Sequence, residues 1–563
     1  MTRLSVCSIL IAAVPIGCGS RLGDPSPTNH KAHRDAQPVE PWFDDVSVAA
    51  GIDFQHVRNA TILYYFPEIM GAGVGLLDYN NDNLLDIYFV QSGPLLQPGA
   101  TPIGNQLYEN LGNMRFRNVT EAAHVGDTGY GMGVACGDYD NDGFTDIYVT
   151  NVGENQLYHN ERDGTFRNVT SIAGVGDDRW STSAAWLDYD RDGDLDLFVS
   201  NYVNWSLATE LECKTPQGNR DYCQPTAYRA PARDTLYRNN NDGTFTDVTE
   251  PSGIAFAFGN GLGVTCGDFN NDDWIDIYVA NDQMPNQLWI SQQDGTFADN
   301  ALMSGSALNA VGQAEAGMGV IAFDVENDGD LDLFMTHFNN ETNTLYQNDD
   351  GNFRDITAIA GLAAPSLPFT SFGTGAADFN CDGFLDLYVV NGRVGLFLPQ
   401  PDPANPYGEH NQLFVGLEGG KFREAQRIDG TKQPVIESSR GAAFGDLDRD
   451  GGIDVVISNS GGAARVLRNV QNNRGNWVSL DIRDRDNRPA IGATVRVVAS
   501  GTVYYRSLMP HSSYCSSNSP FVHIAFGSAS ALEEVRVRWA DGEMSRWKEI
   551  PLNTHTVLQR TAP

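Results

Sequence analysis

An apolar run, then Asp-x-(Asp/Asn/Glu)-x-Asp-x-x-x-Asp, then a second apolar run: this unit occurs seven times in 563 residues, starting at Asp78, Asp138, Asp188, Asp268, Asp324, Asp378 and Asp446. The starts lie 50 to 80 residues apart. A chain this long exceeds one small core, and a recurrent unit of this size indicates a repeat architecture whose members pack on one another.

The unit carries a defined chemistry. Oxygen donors at positions 1, 3, 5 and 9, the position-7 carbonyl, and Gly at position 6 in most copies wrap a tight loop round a cation that takes about six to eight oxygens at about 2.3–2.6 Å. The candidate donors are Asp78, Asn80, Asp82, Leu84 and Asp86 in the first loop and Asp138, Asp140, Asp142, Phe144 and Asp146 in the second. The third has Asp188, Asp190, Asp192, Asp194 and Asp196, and the fourth Asp268, Asn270, Asp272, Trp274 and Asp276. The fifth has Asp324, Glu326, Asp328, Asp330 and Asp332, the sixth Asp378, Asn380, Asp382, Phe384 and Asp386, and the seventh Asp446, Asp448, Asp450, Gly452 and Asp454. Calcium fits this set. Magnesium demands a stricter octahedron and keeps its waters, and zinc would want His or Cys, which the loops lack apart from Cys381 at a non-ligand position. Up to seven structural calcium ions are expected, because carboxylates packed into one turn repel one another when no cation is bound. Asp and Gly also suit plain hairpin turns, but turn preference alone does not repeat one donor spacing seven times. Asn83 and Asp273 replace the position-6 Gly and flag two weaker loops.

Strands flank each loop. A Gly- or Ala-rich segment such as 131–137 precedes it and one such as 147–150 follows. Two more recur: Asn-Gln-Leu-Tyr-x-Asn from Asn105 and Asn155, with variants at Asn286, Asn343 and Asn411, and Phe-x-x-Val-Thr from Phe116, Phe166 and Phe245. Four strands per unit make one propeller blade. The seventh unit lacks its last segment, and Trp42-Phe43-Asp44-Asp45-Val46-Ser47 matches it from the other end of the chain, so an N-terminal strand is expected to close the ring and remove its open edges. Beyond about residue 476 the loops stop, and alternating segments at 477–482, 494–498 and 535–539 predict a separate β domain. The fold class is therefore all-β: a seven-bladed β-propeller with calcium-binding hairpin loops, closed by an N-terminal strand, plus a small C-terminal β domain.

The 72 acidic against 37 basic residues give a formal charge of −35, which repels phosphate backbones and excludes nucleic acid as a partner. Residues 1–17 read as a secretory signal, with Arg3 ahead of an apolar run. Pro15-Ile16-Gly17-Cys18 resembles a bacterial lipoprotein box, which would acylate Cys18 and attach the chain to a membrane. Residues 18–41 then form a flexible tether, 42–472 the propeller and 473–563 the C-terminal domain, in a secreted or cell-surface bacterial lipoprotein, expected to be monomeric. Cys136, Cys266 and Cys381 sit at comparable repeat positions and are expected to be buried thiols. Cys213 and Cys223 bracket a polar insertion and are expected to form a disulfide.

With these residues in hand, the chain resembles the cartilage-acidic-protein family, which joins FG-GAP or VCBS propeller repeats, as in integrin alpha chains, to an ASPIC/UnbV domain. The C-terminal resemblance rests on 490–493 (Ala-Ile-Gly-Ala), 512–517 (Ser-Ser-Tyr-Cys-Ser-Ser), 523–527 and 535–542 (Val-Arg-Val-Arg-Trp-Ala-Asp-Gly). It implies extracellular calcium binding and adhesion or recognition, with no reaction generally assigned.

In such a blade the calcium loop joins strands one and two, so the connections from strand two to three and from blade to blade emerge on the opposite face. That face collects the insertions at 202–233 and 392–410 and is where an extracellular protein or glycan ligand is expected. Trp180, Trp205, Tyr228, Arg229, Phe256, Phe258 and Arg393 are its candidate contacts, because exposed aromatics and Arg recognise partners efficiently. His337, His410, His511 and His523 lack partners at ligand spacing and read as ordinary structural histidines. His511, Cys515 and the serines between them form the one candidate nucleophilic run, read as part of the domain pattern. An adhesion or ligand-binding protein is the leading reading; a propeller enzyme with its site on the face opposite the loops is the alternative.

Overall fold

The computed structural model describes residues 40–58, 60–93, 95, 102–396, 404–472 and 474–561. The secretory signal, Cys18 and most of the tether lie outside them. Among the described residues, seven repeat sheets each carry four antiparallel strands; six pair them in chain order, and the first of these also takes Ser516–Ser517 as a fifth, parallel strand. Blade two is typical: Gly131–Gly137, Asp146–Asn151, Gln156–Asn160 and Phe166–Asn168. The seventh sheet runs Ser439–Gly445, Asp454–Asn459 and Arg465–Asn469, and its fourth strand is Phe43–Asp45 from the N-terminal end, with Phe43 opposite Asn469. First strands touch those of the neighbouring blades all the way round, and blade one's Val74–Leu77 touches both blade two and blade seven.

The alternation of each strand explains the packing. Residues on the two faces of a strand enter the layers shared with the blades before and after it. Leu76, Ile87 and Phe89 of blade one pack with Ala443 and Val456 of blade seven. Leu77, Tyr88 and Val90, on the other face, pack with Val134 and Ile147 of blade two.

The C-terminal domain has a sheet of Val522–Ala525, Trp477–Arg483 and Thr554–Gln559 and another of Thr502–Ser507, Thr494–Ala499, Leu532–Arg538 and Met544–Trp547. Val478, Leu480, Val495, Val497, Ile524, Val535 and Val537 fill the space between them. By contacts, this domain and the propeller form one compact unit over residues 40–563. The reason is residues 510–519, which leave the domain and thread the propeller. Ser516–Ser517 pairs in parallel with Val74 and Gly75 of blade one. Ser513 N–H donates to Val320 O of blade five at 2.7 Å, and its Oγ accepts from Thr374 N of blade six at 2.8 Å. Cys515 N–H donates to Ser183 Oγ of blade three at 3.0 Å, and Tyr514 OH to Met70 O at 2.8 Å. First-strand glycines make the room: a Cβ on Gly133 would lie 3.0 Å from Cys515 Cα, and one on Gly441 3.0 Å from Ser516 Oγ. His511, Ser513, Tyr514, Cys515 and Ser517 are all buried. His511 Nε2 lies 2.9 Å from Cys136 O, and burial pushes the Cys515 thiol up to about 12, so this run plugs the channel as structure.

Candidate metal loops and the opposite face

The loops share one backbone geometry. Position 4 is left-handed in all seven, from Asn81 (φ 57°) to Arg449 (φ 59°), and so is position 6, where Gly143 has φ 87°, Asn83 66° and Asp273 75°. That requirement accounts for the glycines and for Asn and Asp as their replacements. The position-1 carboxylate takes the N–H groups of positions 5 and 6: Asp138 Oδ1 accepts from Asp142 at 3.0 Å and Oδ2 from Gly143 at 2.9 Å. In blade three Asp188 accepts from Gly193 as elsewhere, but the N–H of Asp192 at position 5 turns to Asp190. Position 5 accepts from the N–H of position 7, as Asp142 does from Phe144, and likewise at Leu84, Asp194, Trp274, Asp330, Phe384 and Gly452. Position 9 is fully enclosed and ties the loop to the blade. Asp146 Oδ2 accepts from Tyr139 N at 3.2 Å and Oδ1 from Asn160 N on the third strand at 2.8 Å; Asp86, Asp196, Asp276, Asp332, Asp386 and Asp454 repeat both bonds.

The donors fit a hard cation. In blades two, three, five and seven, acidic triplets such as Asp188, Asp190 and Asp196 bring one oxygen each to within 4.8 Å of one another, about twice a calcium–oxygen distance. Four loop oxygens are buried with no hydrogen-bond partner, Asp140 Oδ1, Asp188 Oδ1, Glu326 Oε2 and Asp448 Oδ1, and all belong to those four blades. Burial raises the loop carboxyls: Asp78, Asp138 and Asp324 to about 6, Asp188 and Asp378 to about 7, with repulsion between neighbouring loop carboxylates adding to it. Such carboxyls favour a bound cation that pays back their desolvation. Blades one, four and six have Asn80, Asn270 and Asn380 at position 3, and each donates its amide to the position-5 carboxylate, at 3.2, 3.1 and 3.0 Å.

The loops also touch in sequence. Asn81 Nδ2 donates to Gly143 O at 2.9 Å, Asn141 Nδ2 to Asp194 Oδ1 at 2.5 Å, Asn271 Nδ2 to Asp330 Oδ1 at 2.6 Å, and Arg449 of blade seven returns to Asn83 O of blade one at 3.1 Å. The C-terminal domain sits on this ring. Arg474 pairs with Asp450, His555 Nε2 lies 3.3 Å from Asp446 Oδ2, His523 Nε2 3.1 Å from Gly451 O, and Arg538 pairs with Asp268 at 3.1 Å. A seam cavity of about 190 Å³ is lined by Phe323, Phe444, Arg506, Met509, Phe521 and His523.

On the opposite face Cys213 and Cys223 are disulfide-bonded, with Cα atoms 5.2 Å apart. Of the candidate contacts there, Phe256 and Phe258 are 83% and 53% exposed, and Arg229 is exposed. Trp180 is a correction: it is 2% exposed, held edge-on against Phe66 and Tyr202 at ring distances of 5.2 and 5.0 Å, because residues 61–70 fold over the channel mouth. Trp205 and Tyr228 are half-buried and both hydrogen-bond Glu210. Arg393 is paired with Glu409 at 3.2 Å. Sequence reading missed Arg440, which is wholly buried and donates to the carbonyls of Ile69, Gly392, Ser439 and Arg393.

The FG-GAP-like repeat model matches residues 78–149, 140–199, 226–279, 268–335 and 324–389, together about half of the chain. The chain belongs to the FG-GAP-like repeat family. The ASPIC and UnbV model matches residues 483–563 of this FG-GAP-like protein. Cartilage acidic protein 1 of Mus musculus is 27% identical over 307 residues, 53% of the chain and 44% of the relative; that of Homo sapiens is 27% identical over the same length, 43% of the relative. The match thus spans less than half of these relatives. An Agrocybe aegerita lectin described for recognition of non-reducing terminal N-acetylglucosamine superposes with TM-score 0.39 at 15% identity, covering 70% of the chain and 94% of the lectin. The BP39L lectin from Burkholderia pseudomallei gives 0.42 at 9% identity, covering 72% and 97%.

Proposed function

We propose that the chain is an extracellular propeller, held rigid by calcium in its loops, that recognises a protein or glycan partner through the face opposite those loops. The observation that carries this reading is that the chain's own C-terminal domain and plug cover the loop face, which leaves the opposite face, with its stapled insertion and exposed Phe256, Phe258 and Arg229, as the broad surface open to a partner. Calcium has a structural role in this reading: a cation at the loop carboxylates fixes each strand-one to strand-two hairpin and relieves the repulsion among them. The disulfide favours an oxidising compartment. A signal at residues 1–17, acylation at Cys18 and a tether to residue 41 belong to the same proposal, as does a monomeric state.

The test is a screen of the calcium-loaded full chain against immobilised glycans and extracellular proteins, repeated with a Phe256→Ala/Phe258→Ala/Arg229→Ala variant of unchanged melting temperature. A ligand lost from the variant supports the opposite face. Ligands that bind equally to both proteins overturn it.

A further inference from the structure

The loop of blade four differs from the others in what already holds its oxygens. Asp268, its position-1 carboxylate, accepts from the N–H groups of Asp272 and Asp273 at 3.1 and 3.0 Å and in addition pairs with Arg538 Nη2 at 3.1 Å. The second amino group of Arg538 pairs with Asp273, the residue standing at position 6 where most loops have Gly. Asn270 donates its amide to Asp272 Oδ2 at 3.1 Å, and Gln293 Nε2 reaches the same oxygen at 3.3 Å. From the blade-three side, Arg191 donates to Asp273 O and lies 4.0 Å above the Trp274 ring. Two guanidinium groups therefore grip this loop. Among the described residues, no other position-1 carboxylate pairs with an arginine. Blade four also brings three carboxylates to the donor positions, whereas blades two, three, five and seven bring four, and calcium affinity rises with that charge.

Arg538 lies in the strand Leu532–Arg538 of the C-terminal domain, so the contact spans two folded parts of the chain. A planar fork held by two carboxylates gives direction as well as attraction. We propose that the blade-four loop takes no calcium and serves as the socket in which Arg538 docks the C-terminal domain on the propeller. The contrast with the other loops rests on the calcium reading above; the socket stands on the Arg538 contacts alone.

Counting calcium on the full chain by native mass spectrometry separates the outcomes. Asp188→Asn in blade three is expected to lower the count by one, while Asp268→Asn leaves it at the wild-type value. Arg538→Gln/Asp273→Gly, which frees Asp268 and restores Gly at position 6, is expected to raise it by one. A count lowered by Asp268→Asn, or no gain in the double variant, overturns the proposal. Hydrogen exchange gives an arm independent of metal: Asp268→Asn is expected to speed exchange in residues 532–547, and unchanged exchange there overturns the socket. A wild type that binds no calcium at all defeats the calcium reading of the other loops and leaves the socket to be judged by exchange.

Discussion

Calcium binding by this protein should be coupled to proton release, and the raised loop carboxyls set its size. In the metal-free chain Asp188 lies at about 7, mainly through burial and then through Asp192 and Asp190. Its folded value is above that of the unfolded chain, so its contribution to stability is fully present below the ordinary carboxylate range and is lost as pH rises through about 7. Calcium requires the ionised form. At about pH 5 only about one Asp188 carboxyl in 100 is ionised before the cation arrives, so this residue alone should weaken the blade-three site by roughly 100-fold between about pH 7.5 and about pH 5. Asp78 and Asp138, at about 6, each contribute roughly a tenfold loss to their own loops over the same interval, and Asp146, at about 7, adds to blade two roughly what Asp188 adds to blade three. Buried neutral imidazoles such as His337 and His511, lowered to about 4, act in the opposite sense on overall stability, but they are common to loaded and metal-free protein. The quantity to measure is therefore the difference in melting temperature with and without calcium, alongside protons released on titration in weak buffer. A calcium increment that stays flat across that range, with no protons released, refutes the reasoning that these carboxyls are protonated when no cation is bound.

Three further perturbations separate the parts of the fold. Tyr514→Ala empties the plug at a wholly buried position and should cost about 3–5 kcal/mol; calorimetry should then show the C-terminal domain melting apart from the propeller, whereas Tyr514→Phe should cost only about 1–2 kcal/mol for the lost Met70 bond. Asp196→Asn turns an amide toward one of two N–H donors and should destabilise by about 1–3 kcal/mol even in saturating calcium, while Asp190→Asn, whose loop position is less enclosed, should act through calcium affinity; melts with and without calcium distinguish them. Replacing Cys213 and Cys223 by Ser opens a staple of sequence separation 10, which should cost about 2–3 kcal/mol locally and speed proteolysis within 204–233 while the calcium increment stays the same.

The propeller was legible because its determinants are local. Donor spacing, positive-φ positions and strand alternation all lie within one unit, and the orphan strand at Phe43 could be matched by composition alone. Asp or Asn at position 3 was equally visible, although its consequence, an amide turned back on the position-5 carboxylate, needed side-chain geometry. The docked C-terminal domain was not legible. Tyr514 and Met70 are 444 positions apart, and Ser-Ser-Tyr-Cys-Ser-Ser carries neither period 2 nor period 3.6, so nothing in the run announces that every blade will close around it. One signal was there: nine arginines fall between Arg483 and Arg560 in an otherwise acidic chain, and several face the loops. Trp180 was misplaced for a related reason, since only the fold shows residues 61–70 lying over it.

These arginines raise the question of what keeps the domain in place once the loops carry cations. Arg483 is attracted by Asp78, Arg488 by Asp138, and Arg506 by Asp324 and Asp378, and each of these attractions weakens when a divalent ion neutralises the carboxylate. In the proposed calcium-loaded state the cation and the arginine seam therefore compete for the same charge. The plug does not take part in that competition: Ser513, Tyr514, Cys515 and Ser516–Ser517 are held by neutral hydrogen bonds and burial inside the channel, neither of which depends on the charge of the loops. It follows that high salt and calcium, which both weaken the seam, should leave the two parts joined in wild type and separate them only in Tyr514→Ala. Separation of the wild-type domain by salt alone, read as exposure of residues 510–519 to proteolysis, would show that the charges and not the plug hold the molecule together.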